Sequence, residues 1–368
     1  MKFNCKQKEL AFALNVVNKA ISPNNTLPVL NNILLKAEGQ KVYFTATNLE
    51  IAINYFIDAE VLNEGSITIP SKLFTNYVNL LGDESIDFKV EEGLNLSIKS
   101  KKSNTKIKGI SAEEFPIIPD VAKEYVFKLK ANTLTEAINQ VVFAASNNIS
   151  RPVLSGVLFR IAEDTLSIVA TDSYRLSEKK LKLEKSKDED MNCIIPAKTV
   201  LELGKILMKY DKEDIEINVS KNQVQFNIDN IVLTSRLIEG KFPDYEKIIP
   251  SENKTRVEVD IEEFGLGARK VSLFAEENNY NIKLNITNDG KILILTDETQ
   301  IGEEKAEVEG KVSGDNNKIA LNAQYLQDVL GSIGGETVSF EMNDKLSPAM
   351  IKPLKEDGYV HIIMPLKL

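Results

Sequence analysis

Arg151-Pro152-Val153-Leu154, followed by Val169-Ala170-Thr171-Asp172-Ser173, decides how the chain is organised, because both pieces occur twice. Leu27-Pro28-Val29-Leu30 leads to Thr45-Ala46-Thr47-Asn48-Leu49 in the same order, and each pair is separated by 124 residues. Leu295-Thr296-Asp297 stands 125 residues beyond Thr171. A second marker agrees: Ile69-Pro70-Ser71-Lys72-Leu73, then Ile195-Pro196-Ala197-Lys198-Thr199, then Ala320-Leu321-Asn322-Ala323, each 126 residues apart. A third links Glu114-Phe115-Pro116-Ile117-Ile118-Pro119 to Lys241-Phe242-Pro243-Asp244-Tyr245, with 127 residues between the phenylalanines. A period this long means tandem domains, not a solenoid of small repeats. The 368 residues therefore divide into domains 1–125, 126–251 and 252–368.

Working outward from the markers, each repeat opens on an amphipathic helix. Residues 8–20 place Leu10, Ala13, Leu14 and Val17 on one face. Residues 131–145 place Leu134, Ala137, Ile138, Val141 and Ala145, and residues 261–275 place Ile261, Phe264, Ala268, Val271 and Ala275. Spacings of three and four are the helical period. Alternating, β-branched stretches follow at 32–37, 41–45, 51–59, 156–161, 165–170, 281–287 and 291–296, and predict half-buried antiparallel strands. A second helix is predicted at 71–81, 197–209 and 322–332, with Ser71 and Asn322 as N-caps. Strands at 85–90, 94–99, 215–219 and 223–228 complete the pattern. The fold class is α+β: three copies of one domain, two helices packed on antiparallel sheets.

Composition narrows the chemistry. Both cysteines, Cys5 and Cys193, stand 188 positions apart, which excludes a CxxC metal site and a disulfide framework. His361 is the sole histidine, so a multi-histidine metal site is impossible. Met1-Lys2-Phe3-Asn4-Cys5-Lys6 lacks the apolar core of a signal peptide, and a cytoplasmic location is expected. There are 45 basic and 54 acidic side chains, a net charge of −9, and residues 252–368 alone carry 13 against 21. A protein that simply coats nucleic acid is usually basic.

Four motifs remain. Asp172-Ser173-Tyr174-Arg175 has the form of an acid with a substrate clamp, but no base, nucleophile or metal set accompanies it. It reads better as a turn after a strand, with a surface Arg, shared with Asn48-Leu49-Glu50 and Asp297-Glu298-Thr299. Gly265-Leu266-Gly267 lies inside a helical pattern and signals close backbone packing, not phosphate binding. Residues 97–108 hold five lysines and no acid, whereas 297–309 hold six acids and one lysine. Each run is either a solvated face or half of a head-to-tail contact between two chains. The tail, His361-Ile362-Ile363-Met364-Pro365-Leu366-Lys367-Leu368, is mostly apolar. It either docks onto the core or forms one wall of a peptide groove.

Three tandem α+β units with Met1-Lys2-Phe3, Thr26-Leu27-Pro28-Val29-Leu30, Ala170-Thr171-Asp172-Ser173-Tyr174-Arg175-Leu176, Phe242-Pro243-Asp244-Tyr245 and Met364-Pro365-Leu366-Lys367-Leu368 resemble the bacterial sliding clamps, the β subunits of DNA polymerase III. The resemblance implies a non-catalytic processivity factor without cofactor or metal. It implies a homodimer closed head to tail as a ring around duplex DNA, touching it without reading sequence. The implied partners are the polymerase III α subunit, the clamp loader complex, and other polymerases and repair proteins bearing a clamp-binding motif. The family's peptide groove, between the second and third domains, maps by position onto Leu154, Thr171, Tyr174, Arg175, Leu176, Pro243, Ile248, Leu346, Ile362, Met364, Pro365 and Leu366. DNA contacts map onto Asn24, Lys72, Asn148, Arg151 and Lys198, with Lys19, Lys205, Arg269 and Lys270 as further cations on the predicted helices. The dimer interface maps onto Lys106, Ile107, Lys108, Leu273, Glu303 and Glu304, with Ile107 and Leu273 as its apolar part. Well-studied proteobacterial members carry His where Tyr174 stands, and their DNA-facing Arg loop reads Ser22-Pro23-Asn24-Asn25 here.

Overall fold

The computed structural model describes residues 1–22, 27–148, 150–183, 190–210, 213–298 and 300–367. The three opening helices are α1 (Gln7–Val17), α3 (Ala131–Val141) and α5 (Ile261–Ser272); the three second helices are α2 (Ser71–Leu80), α4 (Ala197–Leu207) and α6 (Ala323–Ser332). Every residue named above for the apolar faces of the opening helices is buried. Removing each such Leu, Val or Phe side chain from water contributes about 1.5–3 kcal/mol. The first two opening helices tighten into 3-10 turns, Asn18–Ala20 and Val142–Ala144, and are therefore shorter than the periodicity predicts.

Helix starts divide the two expected caps. Asn322 caps α6, its Oδ1 accepting from the backbone N–H of Gln324 and Tyr325 at 2.8 and 3.2 Å. Ser71 does not cap α2. Pro70 occupies the cap position, and the buried Ser71 hydroxyl donates instead to Asn18 Oδ1 at 2.5 Å, tying α2 to the end of α1. Gly267 sits where a Cβ would come within 3.0 Å of Ile294 and Val308, so close packing of α5 on the sheet explains it.

The strands form two compact units. One comprises Met1–Thr133 with Glu202–Leu237, the other Leu134–Leu201 with Ile238–Leu368. The first unit holds a five-stranded sheet in the order Glu60–Asn63, Lys2–Lys6, Ser85–Glu91, Asn95–Lys99, Asn104–Lys108. It also holds an eight-stranded antiparallel sheet in which Ile231–Arg236 of the middle repeat pairs with Ile51–Asp58 of the first, Ser235 opposite Ile51. The second unit holds a twelve-stranded sheet. Its corresponding seam pairs Arg175–Lys182 with Tyr359–Ile363, Arg175 opposite Ile363 and Leu176 opposite Ile362. The middle repeat thus gives Tyr125–Lys130 and three strands after α4 to the first unit, and four strands after α3 to the second. Among the described residues, no helix is long and apolar enough to cross a membrane.

Candidate functional site

The candidate groove is built on the second unit's seam. Leu176 and Ile362 face each other across it and are fully buried in a cluster with Leu158, Val169, Ile194, Phe242, Tyr245, Met350 and Val360. Leu154 and Thr171 are buried as well, and with Leu176 and Ile362 these four are the candidate floor of the groove. Tyr174, Pro243, Ile248 and Leu346 are exposed, while Met364, Pro365 and Leu366 are half-buried. Arg175 aside, four of the candidate groove residues are thus buried and seven are exposed or half-buried.

The turn over this floor is set by sequence. Asp172 Oδ1 accepts from the N–H of Tyr174 and Arg175 at 2.8 and 2.9 Å. Thr171 Oγ1 donates to the Arg175 carbonyl at 2.7 Å and accepts from Ser173 N at 3.2 Å, with Ser173 at φ +81°. Such side-chain-to-backbone bonds mimic a tight turn. The first repeat makes the same turn with Asn48, Thr47 and Leu49 at φ +74°. In the third repeat Thr296 Oγ1 donates to the Asp297 carbonyl, and Thr299, the last residue of the equivalent turn, lies outside the described residues.

The turn lifts Tyr174 to 61% exposure and anchors the tail, since Met364 N donates to the Tyr174 carbonyl at 2.8 Å. Leu366 N donates to the Ala320 carbonyl, also at 2.8 Å. Two backbone bonds thus hold the apolar tail in place.

Arg175 is not the surface arginine expected of a turn. Its side chain is 11% exposed and turned inward. Nε donates to Asp172 at 3.1 Å, Nη1 donates to Asp328 on α6, and Nη2 donates to the Phe143 carbonyl at 2.7 Å. The guanidinium lies 4.5 Å from the Tyr325 ring centroid, within cation–π range. Burial, then the Asp172 charge, raises the Tyr325 phenol. Sequence reasoning missed Phe143, Tyr325 and Asp328; only the helical position of Asp328 on α6 hinted at a buried cation's partner.

The two thiols and the one imidazole are all buried. Burial pushes the Cys193 thiol up to about 12. His361 is fully buried, with Nδ1 2.6 Å from Ser177 Oγ and its ring stacked on Phe143 at 5.5 Å. Burial, with the nearby Arg175 charge, pushes it down to about 3, so the imidazole is neutral near pH 7. Among the described residues, no cluster of three or more His, Cys, Asp or Glu could hold a metal.

The candidate DNA residues are dispersed over helix ends and loops. Lys72 and Lys198 are exposed at the second position of α2 and α4, equivalent places in the first two repeats. Asn148 and Arg151 are exposed in one loop, where Asn148 Oδ1 accepts from Ser150 and Arg151 reaches Ser173 at 3.4 Å. Arg269 and Lys270 are exposed on the last turn of α5. Asn24 lies outside the described residues.

Lys106, Ile107 and Lys108 lie on the outer strand of the five-stranded sheet. Ile107 is 5% exposed, because alternation turns it into its own core, and it has no apolar surface to offer another chain. Lys106 pairs with Glu91 at 2.6 Å and holds that carboxyl below its usual range. Leu80 on α2 is 85% exposed, and Leu73, two turns earlier on the same face, is 56% exposed. Tyr77 ties this helix to the lysine-bearing segment through Ser103 at 2.8 Å. In the second unit, Lys305–Gly314 pairs with Lys291–Leu295 through residues 305–309, whose other side is an open strand edge among the described residues. Leu266, Lys270, Glu304 and Glu307 line a depression of about 460 Å³ beside it. Leu273 is 71% exposed, and Glu303 pairs with Lys305 at 3.3 Å. Leu73 and Leu80 escaped the sequence reading, although their spacing of seven on an otherwise polar helix face was the available signal.

Known proteins match this architecture along its whole length. The DNA polymerase III beta subunit N-terminal, central and C-terminal domain models match residues 1–119, 128–244 and 246–367. A beta sliding clamp of Staphylococcus aureus is 33% identical over 376 residues, covering 100% of this chain and 99% of that protein. The DNA polymerase sliding clamp of Bacillus subtilis superposes with a TM-score of 0.95 at 28% identity, over 100% of this chain and 99% of that one. The polymerase III beta subunit of Pseudomonas aeruginosa superposes with a TM-score of 0.95 at 29% identity, over 100% of both chains. Three tandem domains and full-length similarity together lead to one conclusion: the chain belongs to the bacterial DNA polymerase III beta subunit family, the sliding clamps, non-catalytic subunits that confer processivity on the polymerase.

Proposed function

We propose that two copies of the chain close head to tail into a ring around duplex DNA and tether partner proteins through the second unit's groove. Domains 1–125, 126–251 and 252–368 are the repeating elements of that ring, and it acts in the cytoplasm, where the bacterial chromosome is copied. The partners are the polymerase III α subunit, the clamp loader, and other polymerases and repair proteins with a short binding motif. The occupant is an extended peptide with Leu or Phe anchors. They seat on the floor of Leu154, Thr171, Leu176 and Ile362, against Tyr174, Pro243, Ile248, Leu346 and the tail residues Met364, Pro365 and Leu366. Arg175 shapes the groove without touching the peptide. The observation that carries this reading is the tail: an apolar segment fixed by two backbone bonds yet left half-exposed beside a buried floor.

DNA contact is made by Asn24, Lys72, Asn148, Arg151 and Lys198, which meet phosphates and not bases. Lys72 and Lys198 sit in the first turns of their helices, where the backbone dipole adds to the attraction for phosphate. The ring closes between the lysine-bearing strand of one copy and the open acidic edge of the other.

Titrating the chain with a Leu- and Phe-bearing polymerase peptide tests the groove. Met364→Ala, or removal of residues 364–368, should weaken binding about tenfold or more while the dimer mass is unchanged, because one apolar anchor contact is worth roughly 1.5–3 kcal/mol. Unchanged affinity in both variants would remove the tail from the site.

A further inference from the structure

Glu202 on α4 is shared by two lysines. Lys19 Nζ lies 3.3 Å from Glu202 Oε2, and Lys205 Nζ lies 2.7 Å from Oε1. Lys19 comes from the 3-10 turn that follows α1, in the first repeat, and Lys205 lies one turn along α4, in the second. The Glu202 side chain is 16% exposed, Lys19 26% and Lys205 48%. Partial burial weakens solvent screening, so these pairs are firmer than those on an open surface. Lys72 and Lys198 differ: both are exposed, and neither makes an ion pair among the described residues.

We infer that Glu202 is a positioning residue that stands in for a DNA phosphate, holding Lys19 and Lys205 off the duplex and setting the ring's grip below what its cations alone would give. The inference rests on the reading that these helices face DNA. Phosphate and carboxylate offer an ammonium group the same kind of oxygen. A lysine already held by a half-buried carboxylate must break that pair to take up a phosphate. It then displaces no net counterion from the DNA until it does so. A chain that keeps two of its cations occupied binds DNA weakly, with a shallow salt dependence, and weak, non-specific contact is what lets a ring move along its track.

The test is a salt titration of linear duplex binding by wild type, Glu202→Gln, Lys19→Gln, Lys72→Ala and Lys198→Ala, each first checked for an unchanged melting temperature. Glu202→Gln keeps size and a carbonyl acceptor but removes the charge. It should bind duplex more tightly, with the slope of log affinity against log salt steeper by up to ~1.8, about 0.9 for each lysine released. Lys19→Gln should leave affinity near wild type, because that cation is already occupied, whereas Lys198→Ala should lower it. Equal slopes for wild type and Glu202→Gln, with Lys198→Ala still weakening binding, would overturn the role of Glu202 and leave the DNA face intact. A large loss in Lys19→Gln would overturn it equally, and this variant decides the matter if Glu202→Gln proves unstable. If neither Lys72→Ala nor Lys198→Ala lowers affinity, the DNA-face reading itself fails, and the inference falls with it.

Discussion

His361 shows how one residue can exclude a chemistry and still leave a mark on stability. It sits in register with Ser177 on the seam, stacked on Phe143 and close to the buried Arg175. Burial favours the neutral ring, so the folded value of about 3 lies below the ordinary 6.5. The unfolded chain therefore binds a proton that the native state refuses. Stability present above pH 6.5 is lost as pH falls toward 3, at up to about 1.4 kcal/mol per pH unit. The depressed carboxylates Glu91 and Glu216 titrate lower, so the window from pH 6.5 to about 5 isolates the imidazole. Urea unfolding of His361→Gln should be flatter across that window than wild type, and parallel curves would show that the ring is not the titrating group. The sequence identified His361 as unique, but its burial was not legible, because that depends on a strand pairing 184 residues away in the chain. Arg175 was misplaced for a like reason: its partners Phe143 and Asp328 lie 32 and 153 residues away in the chain.

At the scale of elements, periodicity carried the helices well. Spacings of three and four reported the face each opening helix buries, as Leu10, Leu14 and Val17 illustrate. The strand leading each repeat, Lys2–Lys6, Tyr125–Lys130 and Thr255–Asp260, went unread because each runs straight into its helix with no intervening turn signal. Edge strands are where the dimer claim stands or falls. Lysines on Asn104–Lys108 and acids at the open edge near Lys305 suit two strands that meet side by side. Exposed ion pairs contribute only about 0–1 kcal/mol each, so charge sets register and association rate, while backbone bonds and apolar side chains supply adhesion. Since Ile107 faces its own core, we expect the exposed Leu80 on one side and Leu273 on the other to supply the apolar share. Sedimentation should find Leu80→Ala and Leu273→Ala shifted toward monomer at any salt. Reversing Lys106 and Lys108 to Glu should also favour monomer, and adding Glu303→Lys and Glu304→Lys should restore the dimer. If both charge reversals separately stay dimeric while their combination is monomeric, these edges do not face each other.

For the whole molecule, the repeat was the most legible feature, because three markers with nearly equal spacing need no knowledge of contacts. What the repeat concealed is how the copies join. Each seam is a strand pairing between successive repeats, Ser235 with Ile51 and Ile363 with Arg175, and the middle repeat is divided between two units as a result. Such long-range pairing leaves no local signature. Net charge belongs to this scale as well. At −9, the chain is a poor electrostatic ligand for DNA, yet a closed ring needs no strong attraction to stay in place. The direct measurement is retention of the protein on nicked circular DNA after loading, in salt that abolishes binding to linear duplex, followed by cutting the circle. Retention on the circle and prompt loss on linearisation are the predicted result; equal loss from both in salt, or retention after the cut, would contradict a topological link.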